Sequence, residues 1–435
     1  MSASFGRHMC DWWHRDRRLS DPLVILFIIS MGIVLNPIVL CDYALPYAFQ
    51  VVIPIFWVVL AFLKLIREHY ATRKAGCQHD RSWTAFVSLI QSYAFPKLLI
   101  WGYGILLFII GIADKSYASS GYTQIISLLL PIVALYLFKG KTVHYIYYAC
   151  VFSFIPVVIL TCKVEGIDSL LAPFRAIMDP QFVNPFENHQ FTFTTAYLFV
   201  YYLYVRDRLN GRAIVPMVLA GVMTFMGFKR ILVLSICVVL FIHFLMRKMT
   251  ERGKRRICHL VSWGLAAICV LYISLIYACH SLDLTDELGI LSMGRIYYYK
   301  IVVDNTMFGP SFLGIGLNAV SRMLTQDYSY LGVGGVHSDV LKYYAEIGFI
   351  GFLFWLWAYL FKIPRYLEKH FGLNPACAVC LINILTFIAF LTDNIDIYFG
   401  SQFLFIAIPI TVSMSQINNE TTNEQLVRRL HPEEI

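Results

Sequence analysis

Twelve long apolar runs, bounded by charged or turn-forming residues, make up about half of this 435-residue sequence. A transmembrane helix needs about 20 predominantly apolar residues, and runs of this length meet that need. Their continuous apolar character excludes a transmembrane β-barrel, because barrel strands alternate apolar and polar residues. The predicted spans are 23–40, 47–66, 95–112, 121–138, 143–160, 189–205, 213–228, 231–246, 257–279, 347–363, 376–392 and 397–413. The sequence therefore predicts an all-α integral membrane protein with about twelve transmembrane helices.

The composition agrees with this prediction. Hydrophobic residues make up 58% of the chain and charged residues only 14%, whereas soluble globular domains carry about 25% charged residues. Aromatic residues reach 16%, which suits belts of Tyr and Trp at two membrane interfaces. These figures exclude a nucleic-acid-binding module, a secreted disulfide scaffold and a cytosolic enzyme.

The distribution of Lys and Arg predicts the orientation. Segments on one side of the predicted spans hold 24 of the 35 cations, and segments on the other side hold nine. The positive-inside rule therefore predicts that both termini are cytoplasmic. The resulting organisation is a cytoplasmic tail (1–22), nine spans (23–279), a large outer loop (280–346), three spans (347–413) and a second cytoplasmic tail (414–435).

The 67-residue outer loop before the tenth span has the composition of an ordered segment. In residues 291–302 apolar and polar side chains are interleaved, as expected for an amphipathic helix that lies in the membrane interface. Two glycine-bearing turns follow, at 309–316 and 332–335, where the backbone can bend sharply. From Ser338 the pattern becomes helical into the tenth span, so Ser338 is a good N-cap and Asp339 a good first-turn acid.

His337 stands immediately before this helix. The positive end of the helix dipole favours a neutral imidazole, which can accept a proton, whereas the charge of Asp339 favours the protonated form. The sequence leaves the balance between the two effects open. The alternative interpretation is an ordinary loop histidine bonded to a backbone carbonyl.

Lys229 and Arg230 form a second unusual feature. They lie at the turn between two short predicted spans, so the pair is drawn to the outer interface or slightly below it. Cations inside a membrane usually face a water-filled cavity or a partner, because their burial in hydrocarbon is costly. The alternative is that both side chains reach out to lipid phosphates.

Two further segments carry weaker candidates. His189 lies where the sixth span begins, close to Glu187 at the end of another long outer loop, residues 161–188. The segment 393–396 resembles the D-x-D of metal-dependent sugar transferases, but two carboxylates are a thin ligand set for Mg²⁺, and a turn that caps two helices is the preferred interpretation. The sequence has no P-loop, no nucleophile elbow and no metal-spaced His/Cys set, and we predict no metal site.

Outward cations next to one histidine suit the chemistry of a phosphorylated lipid. Guanidinium groups bind diphosphate and stabilise the charge that grows on it as it leaves, and a histidine can deprotonate an attacking hydroxyl. Because nucleotide sugars are not expected outside the plasma membrane, glycosyl transfer there needs a lipid-linked donor.

From about residue 180 to residue 400, several short motifs follow one another in a fixed order. They are Asn188-His189, Gly227-Phe228-Lys229-Arg230, Gly294-Arg295-Ile296-Tyr297, Phe308-Gly309-Pro310, Gly314-Ile315-Gly316, His337-Ser338-Asp339-Val340-Leu341, and Glu346-Ile347-Gly348 with Gly351. Their order resembles that of the O-antigen polymerase and O-antigen ligase superfamily of bacterial multi-span membrane enzymes. The last two motifs are similar to that family's H-N-x-x-L followed by E-x-G, with Ser338 in place of the usual Asn.

The resemblance implies a metal-independent glycosyltransferase without a cofactor. It would transfer a growing chain from undecaprenyl diphosphate to the hydroxyl of the next lipid-linked repeat unit, on the outer face of the bacterial inner membrane. His337 would be the general base, and Arg295 would act in catalysis and in diphosphate binding. Lys229, Arg230 and Arg322 would also bind the diphosphate; His189, Glu346 and Asp339 are weaker candidates.

The same resemblance implies the partners and leaves two alternatives open. The partners are the lipid-linked donor and acceptor, the bilayer, and a chain-length regulator and flippase of the same pathway; no nucleic acid is expected. A ligase that transfers the finished chain to lipid A core uses similar parts, although the polymerase is preferred. A flippase for the same lipid is the alternative from another class, but a transporter should show two similar halves, and no internal repeat is visible.

Overall fold

The computed structural model describes residues 19–35, 45–75, 81–112, 117–179, 182, 184–207, 211–281, 295–328 and 335–430. Within these ranges every regular element is helical and no strand occurs. The helices are α1 (Pro22–Leu35), α2 (Leu45–Ala75), α3 (Arg81–Ile109), α4 (Tyr117–Phe138), α5 (Thr142–Glu165), α6 (Ala172–Met178), α7 (His189–Val205), α8 (Ile214–Met226), α9 (Arg230–Lys248), α10 (Glu251–Ser281), α11 (Arg295–Asp304), α12 (Ala319–Arg322), α13 (Asp339–Trp357), α14 (Ile363–Phe371), α15 (Leu373–Phe390) and α16 (Phe399–Leu430).

The helices confirm the predicted all-α membrane class. In the described part of the chain, six helical stretches are long and apolar enough to cross a membrane, and α1 and α8 are shorter apolar helices. The six stretches are Trp83–Ile109, Leu128–Glu165, Arg230–Lys248, Glu251–His280, Asp339–Phe371 and Leu373–Phe390. The total of twelve spans and the side on which the termini lie remain predictions.

Several helices extend beyond the predicted spans. The mildly apolar segment before residue 95 is continuous with the third span in α3. Helix α13 begins at Asp339, eight residues before the predicted span, and the Ser338 side chain caps it by accepting a hydrogen bond from the Leu341 backbone N–H at 3.2 Å. Helix α16 continues to Leu430, well past the predicted end of the twelfth span.

Helices α7, α15 and α16 form the centre of the bundle. Helix α15 packs against α9, α10 and α14, and α16 packs against α4 and α7. In the apolar stretch of α15, 83% of the residues are buried, compared with 28% in the apolar stretches of α9 and α10. The outward sides of α8, α9 and α10 expose large apolar side chains such as Val215, Phe241 and Leu271, as helices that face lipid should.

Helix α13 is broken at Gly348, which has φ 70° and ψ −177°. The segment after Gly309 lies against this break and supplies the missing hydrogen bonds: Ile315 N–H donates to the Ala345 carbonyl at 2.9 Å, and Phe349 N–H donates to the Phe312 carbonyl at 2.9 Å. A Cβ on Gly314 or on Gly348 would overlap the backbone of the other segment. The E-x-G motif therefore marks an interrupted helix, which can lie at membrane depth only where protein satisfies its backbone groups.

Some predicted features lie outside the described residues. These are most of the N-terminal tail, the end of the first span, the start of the amphipathic segment at 291–294 and most of the glycine turn at 332–335. The remainder of the amphipathic segment is helical as α11, which buries Tyr299, Val302 and Val303.

Candidate active site

The first turns of α7, α9 and α13 meet at one end of the bundle, beside the turn that joins α15 to α16. The Asp339 backbone N–H donates to the Asp393 carbonyl at 3.3 Å, and His189 Nδ1 lies 2.8 Å from the Tyr398 hydroxyl. Because the N-terminal end of a helix carries partial positive charge and free N–H groups, this convergence favours anions.

Glu187, His189 and Lys229 form the first part of the site. Glu187 Oε1 accepts hydrogen bonds from Lys229 Nζ at 2.6 Å and from His189 Nε2 at 3.0 Å. Burial raises the pKa of Glu187, but the hydrogen bonds and charges of His189 and Lys229 outweigh it and lower the pKa to about 2. The carboxylate is therefore ionised throughout the physiological range.

Local packing brings Lys229 to this position. Gly227, at the end of α8, lies so close to Thr192 of α7 that any Cβ would overlap the threonine side chain. The Asn184 side-chain amide donates to the Met226 carbonyl at 2.8 Å, which joins the loop before α7 to the same turn. The two predicted motifs around residues 188 and 229 are thus parts of one structure.

Asp393 and Tyr398 complete the arrangement, which we call the Lys229 cluster: Glu187, His189, Lys229, Asp393 and Tyr398. The Asp393 side chain is 2% exposed and lies 4.0 Å from Lys229 Nζ and 3.9 Å from His189 Nδ1. It accepts a hydrogen bond from the Asn394 backbone N–H at 2.8 Å and from the Tyr398 hydroxyl at 3.3 Å. Asp393 therefore contributes buried negative charge between the two basic side chains.

His337 lies next to this cluster in a strained backbone conformation, with φ 53°. Its carbonyl accepts a hydrogen bond from the Tyr299 hydroxyl at 3.4 Å, and Tyr299 in turn accepts one from Tyr272 at 3.0 Å. The ring lies 6.4 Å from that of Tyr298, and no described residue makes a hydrogen bond to either ring nitrogen. A non-glycine residue held in this region of φ/ψ space is typical of functional sites.

Burial and neighbouring positive charges keep the His337 ring neutral. Burial lowers its pKa from the ordinary 6.5, the positive charges of Arg295, His189 and Lys229 lower it further, and Asp393 raises it. The balance that the sequence left open between the helix dipole and Asp339 is thus decided mainly by burial. The imidazole is in its proton-accepting form near pH 7.

The predicted arginines occupy different surroundings. Arg295 begins α11, where its charge acts on His337 and on Tyr299. Arg230 is exposed at the start of α9, so Lys229 rather than Arg230 enters the cluster. Arg322, in α12, donates to the Gln326 side chain at 2.9 Å.

Asp339 and Glu346 both belong to α13, Asp339 as its first residue, and both are fully buried. Asp339 Oδ2 accepts the Asp396 backbone N–H at 2.7 Å, and Asp396 lies 3.6 Å from Lys342 Nζ. The hydrogen bond from Asp396 to Asp339 thus fixes the 393–396 turn against the first turn of α13. Glu346 lies beside the Gly348 break.

The arrangement can bind an anion and accept a proton. Lys229 and Arg295 place positive charge near a neutral histidine, and the N-terminal ends of α7, α9 and α13 meet in the same region. The carboxylates of Asp393 and Asp396 face different cations, Lys229 and Lys342 respectively. Among the described residues, no group of three or more His, Cys, Asp or Glu side chains is placed to hold a metal ion.

Sequence reasoning missed the roles of Glu187, Asp393 and Tyr398. Glu187 was noticed only as a neighbour of His189, and the 393–396 segment only as a helix-capping turn. The sequence signal for Glu187 and Asp393 is an acidic residue at an outer turn with no Lys or Arg beside it in the sequence. Tyr398 carries no signal, since an interfacial tyrosine is ordinary in this composition.

Comparison with known proteins supports one family. Residues 191–356 match the family model described as O-antigen ligase, and this range contains Lys229, Arg295, His337 and Glu346. No curated protein matches the chain. The matched range extends from the first turn of α7 nearly to the end of α13 and covers 166 of the 435 residues.

Proposed function

We propose that the protein is a surface-polysaccharide polymerase, which transfers an oligosaccharide from undecaprenyl diphosphate to a hydroxyl of another lipid-linked repeat unit. The observation that carries the proposal is the half-buried, neutral His337, whose ring nitrogens make no hydrogen bond to any described residue and on which the charges of Arg295 and Lys229 act. Its active site would lie on the outer face of the bacterial inner membrane. A chain-length regulator and a flippase of the same pathway are the proposed protein partners.

In the proposed reaction, His337 accepts the proton of the acceptor hydroxyl as the oxygen attacks the anomeric carbon of the donor sugar. The bond from that carbon to the diphosphate oxygen breaks, and the bonding electrons leave with the lipid diphosphate. Lys229 and Arg295 neutralise the charge that develops on the leaving group. This division of roles needs no metal or cofactor, because the side-chain cations supply the electrophilic assistance.

Ligation of finished chains to lipid A core is the second candidate function, favoured by the description of the matching family model. Both reactions use the same donor and differ in the acceptor. A flippase fits less well, because the space beside the cation deep in α3 is small. Lys97 donates to Gln402 at 3.0 Å and lies beside a cavity of about 20 Å³, which is room for one water molecule and not for a lipid headgroup.

The test is to replace His337 and Arg295 separately by Ala in the native host and to resolve the surface polysaccharide on a gel. A polymerase defect leaves single repeat units on the acceptor lipid. A ligase defect leaves long chains on undecaprenyl diphosphate, and a flippase defect leaves no repeat units outside.

Two residues outside the proposed site serve as matched controls. Lys300→Ala removes a cation of α11 five residues after Arg295, and His259→Ala removes a half-buried histidine of α10. We expect normal banding in both controls and single repeat units in both test variants. Normal banding in His337→Ala and Arg295→Ala would overturn the assigned site.

A further inference from the structure

Lys229, the cation proposed to bind the donor diphosphate, already has an anionic partner. Glu187 Oε1 lies 2.6 Å from its Nζ, which is the separation expected of a phosphate oxygen bound to the same ammonium group. The Lys229 side chain is 14% exposed, so few directions remain from which an anion can approach. A phosphate group and the Glu187 carboxylate therefore compete for one position.

The backbone of Glu187 is anchored by hydrogen bonds, whereas its side chain is partly exposed and can rotate. The Glu187 N–H donates to the Asn184 carbonyl at 2.9 Å, and Asn184 is tied to the end of α8 through Met226. Phe186 is buried, whereas the Glu187 side chain is 31% exposed. Rotation about the side-chain bonds of Glu187 can thus release Lys229 while the loop backbone stays in place.

The second acidic neighbour of Lys229 has no such freedom. Asp393 is 2% exposed and is fixed by hydrogen bonds from Asn394 and Tyr398, and its distance of 4.0 Å from Nζ leaves room for another ligand on the ammonium group. Asp393 therefore stays with Lys229 when an anion binds, and Glu187 is the group that must leave.

We propose that Glu187 is an internal competitor, whose carboxylate occupies the phosphate position on Lys229 until a diphosphate displaces it and returns there when the lipid diphosphate product leaves. The inference rests on the proposed function for the identity of the anion. It makes Glu187 a specificity-determining residue: an anion with little negative charge fails to displace the carboxylate, and a diphosphate succeeds. It also gives the product a route of release, because the returning carboxylate replaces the bond that the product loses.

The test measures binding of inorganic pyrophosphate by calorimetry to the purified full-length protein in detergent. Glu187→Gln keeps an oxygen that can accept the His189 hydrogen bond but removes the negative charge, so we expect pyrophosphate to bind about tenfold more tightly, the scale of one hydrogen bond between charged groups. Glu165→Gln, an exposed change of the same kind at the end of α5, should leave binding unaltered. The double variant Glu187→Gln/Lys229→Gln should lose the gain.

Weaker or unchanged pyrophosphate binding in Glu187→Gln, or a gain that survives the loss of Lys229, would overturn the inference. Failure of the proposed function is a different result, since it is read from the surface polysaccharide of the His337 and Arg295 variants and does not depend on pyrophosphate affinity. A thermal-unfolding measurement on each variant shows whether the protein is folded before binding is compared.

Discussion

Single residues at the candidate site are held in conformations and charge states that an isolated peptide would not adopt. His337 has positive φ without being glycine, and its carbonyl is bound by Tyr299. The surrounding structure has to stabilise this conformation, which costs about 1–3 kcal/mol. The ring gains a fixed position close to Arg295 and Lys229 in return.

The pH dependence of activity should report the charge state of His337. Because its pKa lies below 6.5, kcat/KM should be constant near pH 7 and fall on the acid side only below pH 6.5, where the base becomes protonated. Arg295→Gln removes a charge that lowers this pKa, so the acid limb should move to higher pH. Asp393→Asn removes a charge that raises it, so the limb should move to lower pH. Polymer synthesis measured from pH 5 to 8 checks the prediction, and limbs that coincide in all three proteins would contradict it.

The two neighbouring cations at the start of α9 should differ in importance. Lys229 is bound within the cluster and Arg230 is exposed. We expect Lys229→Ala to lower kcat/KM by about 100-fold, a loss of about 2.7 kcal/mol of transition-state stabilisation, and Arg230→Ala to lower it by much less. Rates measured with purified lipid-linked substrate test the ranking, and a larger loss in Arg230→Ala would reverse the assignment.

At the scale of elements, helix α13 is interrupted and depends on another segment of the chain, residues 312–316. Its hydrogen bonds with Phe312 and Ile315 replace those that Gly348 breaks. Sequence periodicity predicted one continuous helix here, because the apolar pattern on the two sides of Gly348 is unbroken. The motif around Glu346 and Gly348 came only from resemblance, and the physical reason for its glycine appears only when residues 312–316 are seen against the break.

Alanine at Gly348 should destabilise the protein strongly. The new Cβ would overlap the backbone of Phe312 and Leu313, and φ is positive, so the loss should be about 3 kcal/mol or more. Gly314→Ala should have a similar effect for the reciprocal reason. Gly102→Ala, in α3, is the control, because nothing lies within 4 Å of its added Cβ. Thermal unfolding of the three variants in detergent measures the difference, and equal midpoints would show that the break does not require glycine.

On the scale of the whole molecule, the sequence predicted the all-α membrane class well and tertiary neighbours poorly, and the sidedness stays a prediction. Apolar runs need only local information, so helices α7, α9 and α10 coincide closely with predicted spans. The approach of Glu187 to Lys229 and of Asp393 to both depends on how α7, α9 and the α15–α16 turn pack. No linear pattern encodes that packing, and for this reason the acidic half of the site was found only in the structure.

The predicted orientation can be tested by labelling. Met307 is 62% exposed in the loop assigned to the outer side, and Arg252 is exposed near the start of α10 on the side assigned to the cytoplasm. A membrane-impermeant maleimide applied to intact cells should therefore label Met307→Cys above the background of the parent protein. It should label Arg252→Cys only after the cells are opened. The opposite pattern would invert the topology and place the candidate site in the cytoplasm.

The break at Gly348 also bears on how the protein is made. The segment that completes α13 precedes it in the chain, so residues 312–316 are synthesised before the helix. A translocation channel that received α13 alone would have to release into lipid a span with uncovered carbonyls at Ala345 and Glu346. The span and the preceding loop must therefore enter the bilayer as one partly assembled unit, and the order of synthesis supplies the covering segment first.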